Sequence, residues 1–377
     1  MIYMPKKSQN LDALMAFIEA NPKTFKKMVL RYYPLTDGLL SEYFGKNSQS
    51  QILWNELSMN ESITWTEEFV DKYKKNLDWD ILSGNRKIVS DIEMLDYCKD
   101  YLRWDFLSSN TGINFTEEII DKYLSKWNFE NLSANPSVQF SEELLISYKD
   151  KWVWKEIRLN PAIKWTKDMV ERVREATENE DITLIYLTAS PSMEWTTALI
   201  DEIKDLEGVI TWNYLSANNG LPWSEELFEK YLDYWYFKQL SKVKTFVWSE
   251  EILETYADKW DWVELSQNTG LPFTEALIEK YADKWDWKGS TRWTGLTGNP
   301  ALPWSEKFID RYIKKWSSRT ITQNEGLPWS LEFIAKYKDK LGLWMDDLHK
   351  NKAIWEKAFK PLVTEDALVK ALATYYG

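Results

Sequence analysis

One cysteine and one histidine occur in 377 residues. Cys98 alone cannot build an intramolecular disulfide framework and fits a reducing compartment. It lies on an apolar helical stripe, where it reads as a buried, inert thiol. His349 alone excludes a histidine-based triad or a multi-histidine metal site, and it reads as a surface residue near a helix end. Glycine (13) and proline (12) are scarce, and no phosphate-binding glycine loop, dinucleotide fingerprint or zinc spacing is present. No cofactor or metal is therefore expected. No run of 18 apolar residues exists, so a membrane-spanning helix is not expected. The opening MIYMPKKSQNLDALMAF lacks a hydrophobic stretch ending in a small-residue cleavage site, which points to the cytoplasm. Positive charge is also short. Lys and Arg total 47 against 59 Asp and Glu, a net charge of −12. That field repels phosphate backbones and argues against general nucleic-acid binding.

What is abundant is aromatic: 23 Trp, 20 Tyr and 15 Phe. They recur at fixed spacing. Taking the Asn of the phrase LSxN as a marker gives Asn60, Asn85, Asn110, Asn135, Asn160, Ser190, Asn218, Val243, Asn268, Asn299, Asn324 and Asn351. Most successive markers are 25 residues apart. Three residues before each marker stands Leu or Ile, and five after it an aromatic residue such as Trp65, Phe115 or Trp223. Eight further on lies Tyr in most units, as at Tyr73, Tyr123 and Tyr231, with Cys98 as one replacement.

Each unit reads as two helices. Trp65-Thr66-Glu67-Glu68 has a hydroxyl able to accept from a free helix-start amide, and acids that favour the positive helix end. The preceding Trp65 is placed to staple onto the first turn, toward Val70. Phe69, Tyr73 and Leu77 then follow at spacing four. A shorter second helix runs through Trp79 and Leu82 and stops near Asn85, a residue type that tolerates left-handed backbone. One such pair cannot bury both helices alone, so neighbours must stack.

The expected fold is all-α: a right- or left-handed superhelical solenoid, an open array or incomplete ring, of about 11 to 12 two-helix repeats. Residues 1–53 are expected to form a helical N-terminal cap, 54–350 the tandem repeats, and 351–377 the C-terminal capping helices. The phrases WDWxxLSxN (Trp260 to Asn268) and LPWSEEL (Leu221 to Leu227) resemble tryptophan-rich short helical repeats of bacterial and viral proteins. The architecture looks like that of the α-solenoids, the company of tetratricopeptide, HEAT and armadillo proteins, although the unit is shorter than theirs. The resemblance implies a fold and no activity.

Two irregularities interrupt the pattern. Around ERVREATENEDIT the spacing widens to 30 and then 28, which reads as degenerate layers with a charged loop, or as a hinge or docking site. In LDYWYFKQLSKVKTFVW, Tyr234 and Tyr236 replace the usual Lys and Asp, and Lys238, Lys242 and Lys244 follow. The longest insertion carries Lys288, Arg292 and Trp293. Aromatics among cations make these eight residues the candidate contact for a partner or an anionic ligand.

No catalytic residue is expected. Paired acids at 67 and 68, 117 and 118, 142 and 143, 225 and 226, and 250 and 251 recur at one helix-start position, which capping explains. The expected function is a non-enzymatic protein-interaction scaffold whose acidic surface meets a partner with a basic one. Two alternatives stand beside it. One is capture of a small anionic ligand such as a nucleotide, which in a viral chain would suit counter-defence. The other is a hydrolase using carboxylates alone.

Overall fold

The computed structural model describes residues 6–44, 50–206, 208–290 and 294–374. These residues are all-helical. Many short helices are joined by turns, with no strand among them beyond two isolated bridges, Phe115 with Val138 and Trp165 with Met193. The chain divides into two compact bodies, one of residues 1–102 and 273–377 and one of residues 103–272.

The first helix of each unit (helix A) starts where the spacing places it. Thr66 sits in extended backbone and accepts from the Phe69 amide at 3.2 Å, opening the helix Glu67–Tyr73. Thr116, Ser141, Thr166, Thr196, Ser224, Ser249, Thr274, Ser305 and Ser330 cap in the same way. A hydroxyl here satisfies one of the amides that have no partner inside the helix. Trp65 packs edge-on against Phe69 at 5.2 Å. The widened unit after Thr166 is not a loop at first. Its helix A runs Lys167–Thr177 and ends on Glu178, held in left-handed backbone at φ 56°.

Helix B, exemplified by Trp79–Gly84, Phe129–Ala134 and Trp262–Gln267, ends at the marker Asn. The left-handed backbone expected there is absent. Asn85 has φ −75° and ψ 116°, and Asn268 has φ −75° and ψ 113°, which is extended and open to any residue. Asparagine is needed for its side chain instead. Asn135 Nδ2 donates to the carbonyls of Ser108 (2.9 Å) and Asn110 (3.2 Å) in the preceding unit, while its Oδ1 accepts from the Ser137 amide at 2.8 Å. Asn85, Asn160, Asn218, Asn268, Asn324 and Asn351 repeat the two donations. Such an amide supplies two donors and an acceptor at once, where a hydroxyl supplies a single donor.

The serine two residues earlier forms a second connector. Ser108 Oγ donates to the Trp104 carbonyl at 2.7 Å and accepts from the Asn128 amide at 2.9 Å, twenty residues on. Ser58, Ser133 and Ser241 do likewise. Beside these connectors, the Leu or Ile three residues before every marker is fully buried, from Leu57 to Leu348. Unit is thus joined to unit by apolar burial, which drives association, and by buried hydrogen bonds, which fix register.

In the first body the two ends of the chain meet. Helices Lys6–Ala20 and Pro22–Tyr32 pack on C-terminal residues: Phe17 on Phe359 at 4.7 Å, Thr24 Oγ1 donating to the Met345 carbonyl at 3.2 Å, and Lys370 paired with Glu19 at 2.9 Å. Lys26 is fully buried and donates to the carbonyls of Leu372 (3.1 Å) and Thr374 (2.8 Å). Burial pulls its ammonium down to about 8, since a charged amine loses hydration there. His349 is not a surface residue. It is 3% exposed and lies against Glu56, because the chain's other end covers it, a contact that local sequence does not encode.

Candidate interaction surface

The aromatic residue that opens helix B is covered by a side chain nine residues before the next unit's marker. In several units that side chain is lysine, whose ammonium lies over the ring: Lys126 over Trp104 at 5.1 Å, Lys151 over Phe129 at 5.5 Å and Lys259 over Phe237 at 4.9 Å. Tyr234 occupies the same position and stacks on Trp212 at 4.7 Å. In the first body Tyr101 does so on Trp79 at 4.8 Å. Cation–π and ring stacking are interchangeable covers of comparable strength. Tyr234 is nonetheless 43% exposed, so its ring also faces solvent.

Tyr236 stands where Asp78, Asn128 and Asp261 cap helix B in their units. It makes no side-chain cap, but its amide still reaches Ser216 Oγ at 2.9 Å. Tyr234 and Tyr236 line a groove of about 580 Å³ with Lys204, Asp205, Trp212 and Asp233. The neighbouring cations are engaged. Lys238 faces Asp261 at 3.7 Å, and Lys242 faces Glu264 at 3.7 Å and donates to Gln239 at 2.9 Å. Lys244 is exposed, and its amide takes up Asn219 Oδ1 at 2.7 Å. Where Val243 replaces the marker Asn, the next amide, Asn268, still bonds its carbonyl at 3.1 Å, so the ladder continues past the gap.

Lys288 belongs to the other body and is exposed; Arg292 and Trp293 lie outside the described residues. On either side of the insertion, Thr297 donates to the Trp287 carbonyl and the Leu296 amide donates to the Asp286 carbonyl (2.8 Å). Trp287 is covered by Lys315 at 4.5 Å, as the other helix-B aromatics are.

Two further tyrosines were not singled out by the repeat. Tyr186 and Tyr214, each four residues before its marker, are 48% and 49% exposed. The Arg158 guanidinium lies 4.8 Å from the Tyr186 ring and donates to the Asp181 carbonyl at 2.8 Å. Their signal in the sequence is an aromatic where sibling units carry Asn131, Glu156 or Glu264. Three consecutive units of the second body thus expose Tyr186 and Tyr234 on turns, Tyr214 on the helix Gly208–Leu215 and Tyr236 just before the helix Phe237–Leu240.

On helix A the side chains of successive units form exposed polar pairs. Tyr231 donates to Asp201 at 3.0 Å and Lys230 to its other oxygen at 2.7 Å, and the Lys230 contact holds the Asp201 carboxyl below its usual range, with help from Tyr231. Arg172 pairs with Glu142 and Arg311 with Glu275. A groove of about 180 Å³ between two helices A in the second body is walled by Glu225, Glu229 and Glu251 over Phe228 and Tyr256. Charge is unevenly divided. Residues 103–272 hold 30 of the 59 acidic residues but 17 of the 47 basic ones, a net charge of −13, which leaves +1 for the other body.

Cys98 is fully buried, and burial pushes its thiol up to about 11. Among the described residues no three His, Cys, Asp or Glu side chains converge to hold a metal, and no helix is long and apolar enough to cross a membrane. Compared with known proteins, the chain matches no family model, no curated protein and no solved structure.

Proposed function

We propose that the chain is a non-enzymatic scaffold, an α-solenoid of about 11 to 12 two-helix repeats that engages a macromolecular partner through its second body. The observation that carries this reading is the net charge of −13 on residues 103–272, combined with four exposed tyrosines in three consecutive units. Tyrosine offers a large rigid contact area at small entropic cost. An acidic field steers and selects a basic partner surface. The acids at helix starts flank hydroxyl caps, a role that needs no catalysis.

Capture of an anionic ligand by Lys238, Lys242 and Lys244 is the weaker reading, since Asp261 and Glu264 already face two of those cations. The scaffold reading is tested by affinity capture with the full chain from its source lysate at low and high salt. Two variants run in parallel, one with Glu225, Glu226, Glu250 and Glu251→Gln and one with Tyr186→Ala and Tyr214→Ala. A partner lost at high salt and by both variants is the expected result. Absence of any salt-sensitive partner would defeat the reading, and calorimetric heat with a nucleotide panel, abolished by Lys238→Glu and Lys242→Glu, would replace it.

A further inference from the structure

Helix Pro22–Tyr32, helix Gln51–Ser58 and the 3-10 turn Met345–Lys350 converge on one buried carboxylate. Glu56, 7% exposed, receives His349 Nε2 at 3.2 Å on Oε1 and Arg31 NH1 at 3.4 Å on Oε2. Its Oε2 makes no hydrogen bond of normal geometry. The other imidazole nitrogen of His349, Nδ1, lies 2.8 Å from the Asp346 carbonyl oxygen.

Acceptor chemistry fixes the protons. A carbonyl oxygen only accepts, so Nδ1 carries a hydrogen. With Nδ1 protonated, a neutral imidazole would turn the lone pair of Nε2 toward the carboxylate, and two acceptors would face each other in a buried site. The contact therefore holds one further proton, whether it resides on the ring as imidazolium or on Glu56 as carboxylic acid. Both descriptions have the same proton count.

We propose that this single proton latches the C-terminal segment onto the N-terminal helices, and that its loss on alkalinisation releases the segment. The charged and titratable groups around it come from every packed element: Lys27, Arg31 and Tyr32 on the first helix, Glu56 on the second, Asp347 and Lys350 on the turn, and Glu325 from the preceding loop. Asp347 is paired with Lys350 at 2.8 Å. Tyr32 is pushed up to about 12, chiefly by burial, and stays neutral throughout. Lys26, on the same helix, also loses its proton in the alkaline range but keeps hydrogens to donate to its two carbonyls, so the test separates it.

His349 is the chain's one histidine, so ring-nitrogen NMR of histidine-labelled full chain reports the site without assignment. In the latched state a hydrogen on Nδ1 is expected, with Nε2 either protonated or bonded to a protonated Glu56. A neutral ring protonated only at Nε2 would overturn the latch. Hydrogen exchange of residues 345–374, corrected for intrinsic rates, is followed from about pH 6 to 9. Protection is expected to fall about tenfold or more as the proton leaves. In Glu56→Gln the side-chain amide can donate to a neutral Nε2, so protection in this variant should stay flat over the same range. Equal pH dependence in wild type and Glu56→Gln would assign the change to Lys26 and overturn the latch. Should Glu56→Gln fail to fold, Lys26→Met serves instead: a wild-type-like fall in its protection supports the latch, and a flat profile refutes it.

Discussion

Truncating one rung of the asparagine ladder offers the sharpest test of how the repeats hold together. Asn135 is 2% exposed and makes three hydrogen bonds, two donated into the preceding unit and one accepted from Ser137. Each such bond is worth about 1 kcal/mol net, and each buried group left without a partner costs about 1 to 3 kcal/mol. Asn135→Ala removes all three and orphans the Ser108 and Asn110 carbonyls, so a loss of about 3 to 5 kcal/mol is expected. Asn135→Asp keeps the shape but turns an oxygen toward both carbonyls. Its acid must remain protonated to donate even one bond, which raises its folded-state pKa above the unfolded value. The sign then follows: stability is fully present below the unfolded carboxyl range and is lost as pH rises through the folded value. The Asp variant should therefore be closest to wild type near about pH 4 and furthest from it near about pH 7. Urea unfolding followed by tryptophan fluorescence gives the magnitude, and hydrogen exchange shows whether the loss centres on residues 103–137. A change of less than about 1 kcal/mol for Asn135→Ala would refute the ladder as a source of stability.

Other expectations follow from single contacts. A Cβ built on Gly270 would lie 2.0 Å from the Lys244 carbonyl oxygen, so Gly270→Ala should cost about 1 to 3 kcal/mol or more by urea midpoint. Gly84 meets nothing within 4 Å, and Gly84→Ala should instead stabilise helix B by about 0.5 to 1 kcal/mol. Reversal of that contrast would show the loop contacts to be misread. Cys98 should resist a thiol reagent at about pH 8 in the folded chain and react once unfolded; rapid native-state labelling would contradict its burial. Tyr234→Lys should retain cover over Trp212 and alter stability by under about 1 kcal/mol, whereas Tyr234→Ala should lose about 1 kcal/mol more. Equal losses in the two variants would refute that cover.

Much of the repeat was legible because its signals are local. Hydroxyl caps, the fully buried Leu or Ile and the aromatic before each cap all act within one unit, so spacing alone locates them. The marker asparagine was located but misread. Its purpose lies in carbonyls 25 and 27 residues away, while helix-end statistics suggested a backbone role. His349 and Glu56 were beyond reach for the same reason at greater range, since nothing within either segment indicates that 293 residues later the chain returns to it. The candidate contact residues were legible as departures from the pattern. What those departures do, a tyrosine covering the ring that a lysine otherwise covers, required knowing which ring lies beneath.

The same substitution decides what a unit shows to solvent. Where the position nine residues before the marker covers an aromatic ring, the frame accepts either a cation or a second ring there. The two solutions differ in what faces water: an ammonium group, or the outer face of a tyrosine. Four residues before the marker the frame is equally permissive, and the second body carries Phe106, Asn131, Glu156, Tyr186, Tyr214, Gln239 and Glu264 there in succession. Structural constraint is concentrated in the serine, the asparagine and the buried leucine, which leaves these positions free to vary without loosening the ladder. A surface chemistry specific to residues 186–236 can therefore be written onto a frame that repeats unchanged on both sides of it. The exposed tyrosines cluster where the ladder asparagine is twice replaced, at Ser190 and Val243, so the stretch that departs most from the repeat is also the one that exposes most tyrosine to solvent.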